Sequence, residues 1–212
     1  MSPHRLLALA FVLALPACGT ATSTSCPTLW TLGPQSTTVT EADDLLTLDA
    51  PASSPWPAGV SVTQPGLAGD FALAAQVQAF TTTASDGELS ISVEAAAQVP
   101  RLTGSILGDR LQATLQPLTG DIQTETHTIS AAQVTGAVAF SRQGSTVTVT
   151  IVGGGQTVTL SGDLGTGPLV LEINAIRPSA GGDTKVQISN VSVTDVAGAI
   201  KGDTFHCDSL GE

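Results

Sequence analysis

Hydrolysis of a glycosidic bond needs two carboxylates at a fixed separation, one to protonate and one to attack or to activate water. The stretch nearest to such a pair is Glu88-Leu89-Ser90-Ile91-Ser92-Val93-Glu94, where both glutamates share one side of an alternating segment. At about 3.3 Å per residue they stand roughly 20 Å apart, beyond a two-carboxylate mechanism. Two solvated charges on the wet face of a strand are the expectation. Nucleophilic catalysis fares no better. Past the N-terminal segment the histidines are His127, in a polar Thr-rich stretch, and His206, beside Cys207. No serine has the setting of a nucleophile elbow, and no His or Cys pair has zinc spacing. The residues predict a domain that is not an enzyme.

Binding chemistry has more to work with. Asp43, Asp44 and Asp49 cluster early in the chain, while Asp183 and Asp195 flank a late apolar stretch. Hard oxygen ligands on loops suit a structural calcium, with Asp43, Asp44, Asp183 and Asp195 as its candidate ligands. Their spacing matches no calcium-loop consensus, so solubilising turn aspartates are the competing reading. Sugars stack their C–H faces on aromatic rings, and the chain has no Tyr, two Trp and five Phe. Trp56 lies in Ser53-Ser54-Pro55-Trp56-Pro57, where prolines stiffen the loop and would hold the ring out toward a ligand. The alternative is that Trp56 plugs the end of the fold. Trp30 sits in a strand-like segment and is expected in the core.

The start of the chain says where these residues go. Arg5 precedes the apolar run Leu6-Leu7-Ala8-Leu9-Ala10-Phe11-Val12-Leu13-Ala14-Leu15. Ten residues of helix reach about 15 Å, roughly half a bilayer's hydrocarbon thickness, so residues 1–17 read as a signal peptide and not a membrane span. Leu15-Pro16-Ala17-Cys18 has the form of a bacterial lipobox, in which Cys18 is lipidated and becomes the first mature residue. Pro16 is unusual there, and plain cleavage after Ala17 or Ala21 is the competitor. Residues 18–27 then form a short polar tether, and the membrane is a partner through the lipid. Gly19, not Asp, follows Cys18, which resembles outer-membrane sorting.

Cys26 and Cys207 remain as an even pair in an exported chain, and are expected to form a disulfide joining the ends of the domain. In the chain-entropy model such a staple contributes about 5 kcal/mol. Seven basic against 18 acidic residues give a net charge of −11, which repels phosphate backbones and excludes nucleic acid as a partner.

The elements that must position all of this are strands. The apolar period is two almost throughout. Phe71, Leu73, Ala75, Val77 and Ala79 share one face, as do Leu89, Ile91, Val93 and Ala95. Leu111, Ala113 and Leu115 follow, then a stretch over 134–142 joined by a turn at Gln143-Gly144 to 146–152. Gly153–Gly155 breaks the chain before Val158 and Leu160, and Leu169, Leu171, Ile173 and Ala175 form another stripe. Within 185–195 the parity shifts between Ile188 and Val191, which predicts a bulge. No amphipathic helix is evident. The expectation is one all-β domain over residues 28–207, a two-sheet antiparallel β-sandwich, with residues 208–212 as a tail.

The order of segments resembles the concanavalin A-like jelly rolls. Trp30-Thr31-Leu32-Gly33 and the segment 45–49 are similar to their opening strands. Gly69-Asp70-Phe71-Ala72-Leu73, Gly87-Glu88-Leu89-Ser90-Ile91, and Val138-Ala139-Phe140-Ser141-Arg142-Gln143-Gly144 resemble later ones. The segment 184–195 looks like the closing strand that returns beside the first. The resemblance spans roughly residues 28–196. It implies a lectin, carbohydrate-binding, laminin G-like or glucanase relative and tilts the expectation toward a non-catalytic glycan-binding domain. The alternative is a structural or protein-interaction envelope lipoprotein with no small ligand, whose partner is an envelope protein. The glucanases' Glu-x-Asp-x-x-Glu pattern is absent: Ser90 stands where the aspartate belongs, and Glu94 lies too far along.

Overall fold

A computed structural model describes residues 29–33, 38–52, 58–84, 86–130, 134–177, 182–195, 202–205 and 210–211. Among the described residues every regular element is a strand. In chain order these are β1 (Trp30–Leu32), β2 (Val39–Ala42), β3 (Leu45–Ala50), β4 (Ala58–Leu67) and β5 (Phe71–Thr82). There follow β6 (Glu88–Ala95), β7 (Arg101–Leu107), β8 (Arg110–Gln116), β9 (Gln123–Thr128) and β10 (Val134–Gln143). The last are β11 (Thr146–Gly153), β12 (Gln156–Asp163), β13 (Leu169–Arg177), β14 (Thr184–Asp195) and β15 (Leu210–Gly211).

They form two sheets. One has eight strands in the order β15-β1-β4-β13-β6-β7-β8-β9, and the other seven in the order β12-β11-β10-β5-β14-β3-β2. Every pair is antiparallel except β1 with β15. Side chains alternate across each strand, so the apolar set of one sheet faces that of the other. Leu89, Ile91 and Val93 of β6 meet the buried stripes of β5, β10 and β14 in a single core. The sheets press close at Gly104 of β7. A Cβ there would lie 2.8 Å from Val138 and 2.9 Å from Val149, so only glycine fits under those valines.

Local turn chemistry sets the hairpins. Asp43 and Asp44 have φ of 55° and 60° and link Ala42 to its partner Leu45. This is the two-residue hairpin in which both central residues are left-handed, a place Asp tolerates. Gly154 and Gly155 do the same between β11 and β12. The β14 bulge falls where the parity shift predicts it, with register breaks at Gln187/Ile188 and Ile188/Asn190. Arg142 is 2% exposed; it continues the buried parity of Val138 and Phe140 to the end of β10, at the β10–β11 hairpin. Its guanidinium donates to the carbonyls of Gly144 at 2.9 Å, Gly167 at 2.8 Å and Gly165 at 2.6 Å. One cation thus ties two loops together.

Two expectations need correction. β14 does not return beside the first strand; it lies between β5 and β3, and β1 pairs with β4 and β15. The expected Cys26–Cys207 disulfide is also corrected: the structure contains no disulfide among its described residues, and both cysteines fall outside them. The clasp that it does describe is non-covalent. Trp30 is buried in the core as expected, and its Nε1 donates to Asp203 Oδ2 at 2.9 Å. Asp203 Oδ1 accepts from the Phe205 amide at 2.8 Å, and Asp203 exchanges two backbone hydrogen bonds with Val191. The Phe205 ring packs 6.3 Å from the Trp30 indole. Because Trp30 and Val191 belong to different sheets, Asp203 ties the two sheets together.

Candidate functional site

The same alternation that buries Leu89, Ile91 and Val93 turns Glu88, Ser90, Ser92 and Glu94 to the other face of the eight-stranded sheet. Register then lines these residues up with partners from distant parts of the chain. One row across the sheet reads Thr63, Glu172, Ser92, Thr103, Thr114, Thr124. The next reads Ser61, Asn174, Ser90, Ser105, Gln112, Thr126. A third sets Glu94 opposite Arg101. The result is a lattice of hydroxyl, amide, carboxylate and guanidinium groups.

Its centre is Arg101, at the start of β7. Arg101 Nε stands 3.2 Å from Glu94 Oε2, and Nη2 stands 3.2 Å from Glu172 Oε2. Nη2 also donates to Ser92 Oγ at 3.2 Å. Four residues further along β7, Ser105 Oγ donates to Glu88 Oε1 at 2.5 Å. This face was expected to be wet, and that expectation is corrected: Ser92 is 0% and Glu94 7% exposed. The reason is side-chain length. Short serines lie beneath Arg101 and Glu88, which reach across strands to bond with them.

Burial pushes the Glu94 carboxyl above the ordinary 4.5; Arg101 pulls it back and Glu172 adds to the rise. The contact between Glu94 and Arg101 is also incomplete. Glu94 Oε2 and Arg101 Nε are both buried and neither has a hydrogen-bond partner, although they face each other as an ion pair. The approach lacks hydrogen-bond alignment, so a donor and an acceptor are left side by side.

The pairing that matters is therefore Glu94 with Glu172, and not Glu94 with Glu88. Sequence reasoning missed Glu172, Arg101 and Asn174 because each meets Glu94 or Ser90 only through strand register. The alternation of Leu169, Leu171, Ile173 and Ala175 does signal that Glu172 and Asn174 point away from the core.

The other expected site residues are dispersed or lie elsewhere. Cys18, Cys26, Trp56, His206 and Cys207 fall outside the described residues. The four proposed calcium ligands do not come together. Asp43 and Asp44 form the β2–β3 turn, Asp183 precedes the first residue of β14, and Asp195 ends that 12-residue strand opposite Phe71. Among the described residues no group of three or more His, Cys, Asp and Glu could hold a metal. Asp183 and Asp49 do share a cavity of about 370 Å³ with Lys185 and Thr81, Thr82 and Thr83. There Asp183 Oδ1 accepts from the Ala52 amide at 2.6 Å, so it braces a loop. His127 lies on β9, exposed on both faces and paired with Leu111.

No protein-family model matches the chain, and no curated protein sequence matches it. Solved structures share its fold widely. The Crh5 transglycosylase aligns over 89% of this chain and 87% of its own, with a TM-score of 0.60 at 14% identity. The alginate lyase from Klebsiella pneumoniae aligns over 75% of this chain and 84% of its own, with a TM-score of 0.54 at 14% identity. A legume lectin-like domain from Entamoeba histolytica aligns over 79% and 90%, with a TM-score of 0.53 at 8% identity. These likenesses show a shared fold, the two-sheet jelly-roll β-sandwich. Enzymes and a lectin-like domain share it, so the fold by itself assigns no activity.

Proposed function

We propose that this chain is an exported envelope lipoprotein, anchored in the outer membrane through Cys18, whose jelly roll binds a glycan without cleaving it. The observation that carries the reading is the Glu94–Arg101–Glu172 group set in a lattice of Ser, Thr, Asn and Gln. Planar carboxylate, guanidinium and amide groups make paired, charge-assisted hydrogen bonds of the kind that read adjacent hydroxyls. A sheet backbone holds those groups more rigidly than loops would. Trp56 stands two residues before β4 in sequence and is the stacking partner in this reading. The lipobox supports the anchor.

A glycan array probed with the chain from Gly19 onward tests the binding. Saturable binding that falls with Arg101→Ala and with Trp56→Ala supports the reading, and a blank array sinks it. Metabolic labelling with a radioactive fatty acid tests the anchor: label should enter the full-length chain and vanish in Cys18→Ser.

One observation favours a second reading, a glycan hydrolase. Glu94, with its raised pKa, beside Glu172 resembles an acid and its partner carboxylate. Both are engaged by the same guanidinium, which favours recognition over catalysis. Release of reducing ends from any bound glycan, abolished in Glu94→Gln, would reverse that order.

A further inference from the structure

Resting on the glycan-binding reading, we propose that the face selects uncharged, hydroxyl-rich glycans and rejects both polyuronates and amine-bearing sugars. The argument starts from the two orphaned atoms. Arg101 Nε is a donor without an acceptor, and Glu94 Oε2 is an acceptor without a donor. They stand 3.2 Å apart. A sugar hydroxyl is both acceptor and donor, so one such group can satisfy both atoms at once. A uronate carboxylate can serve only Arg101, and an ammonium group can serve only Glu94. Each would leave a buried charged partner unmet, which is what makes polar sites discriminating.

For polyanions, charge points the same way. Glu94 and Glu172 flank the guanidinium of Arg101, which already serves both. A polyanion would find no free cation at this centre, and the whole chain, at −11, repels it at longer range. An ammonium would be drawn by the carboxylates but would meet Arg101 head on. Entry of a hydroxyl requires the Glu94–Arg101 contact to open. The Arg101 side chain, 30% exposed against 10% for Glu94, is the part free to move.

Affinity electrophoresis or titration calorimetry on the exported chain in about 0.15 M salt tests this, with a neutral β-glucan, a mannan, alginate and chitosan as probes. A neutral glycan should bind at least about tenfold tighter than alginate or chitosan. Glu94→Gln and Arg101→Lys should each weaken that binding about tenfold, the worth of one charge-assisted hydrogen bond. Their melting curves verify folding, and Arg101→Lys keeps the charge, so a loss there reports hydrogen-bond geometry. Alginate or chitosan binding as tightly as the neutral glycans, with sensitivity to Arg101→Lys, overturns the selectivity and leaves the glycan face standing. Neutral binding unmoved by both variants overturns the assigned atoms. Failure of all four probes to bind removes the glycan reading and this inference with it.

Discussion

The two outer faces of the sandwich are built by one rule and end with opposite characters. On the seven-stranded sheet, Ala72, Ala74, Ala139, Ser141, Thr148, Thr150, Ser192 and Thr194 line a shallow depression of about 270 Å³. Three of its hydroxyls are already paired: Thr148 lies 2.7 Å from Ser161, Thr150 3.3 Å from Thr159, and Ser192 Oγ donates to the Ala74 carbonyl at 3.4 Å. On the eight-stranded sheet, long charged side chains reach over short ones and leave two buried polar atoms unmatched. A face that completes its own hydrogen bonds has little left to offer a ligand. A face left with an unmatched donor and acceptor keeps binding energy in reserve. Function is expected on the second.

That contrast breaks cleanly if mutations on the seven-stranded sheet change binding, or if those at Arg101 change only stability. The largest effect belongs to Arg142. Its removal in Arg142→Ala leaves three loop carbonyls without their donor and should cost about 3 kcal/mol, read by denaturant unfolding. Glycan affinity of the folded fraction should stay within twofold. Arg101→Ala should do the reverse. It is part-exposed, so stability should fall by only about 1 kcal/mol, whereas glycan binding should drop about tenfold or more.

Glu94 sharpens the comparison through pH. Its native pKa is raised, so the fold holds that proton more tightly than the unfolded chain does. The resulting stability is fully present below the unfolded glutamate value near 4.5 and is lost as pH rises through the native value. Melting curves from pH 4 to 7 should therefore show Glu94→Gln gaining on the wild type as pH increases. A constant difference across that range would mean that Arg101 cancels the cost of burial. The smallest effect is expected at Thr150→Ala, within about 0.5 kcal/mol in stability and silent in glycan binding.

How much of this could be read beforehand depended on distance along the chain. Strands with one apolar face were legible, as were the turns at Gly144 and at Gly154-Gly155 and the β14 bulge, because each is a pattern within a dozen residues. β9 was not. Its residues, Gln123-Thr124-Glu125-Thr126-His127-Thr128, are exposed on both faces and carry no apolar mark. β4 was masked by Pro65 and Gly66, which its register break beside Leu169 and Val170 accommodates.

The sequence by itself determined that the chain folds into two sheets, which residues of each strand face the core, and that its first residues read as an export signal. Alternation is local chemistry, and burial of apolar area enforces it strand by strand. Only the tertiary structure decided that Glu172 would meet Arg101 from 71 residues away. Only it placed Glu94 and Ser92 under cover instead of in water, and left Asp43 and Asp44 in the β2–β3 turn while Asp183 and Asp195 stand at opposite ends of β14. Parity assigns a side chain to a face, but register between strands far apart in sequence chooses its neighbours. Those neighbours decide whether a glutamate is a solvated charge or part of a site.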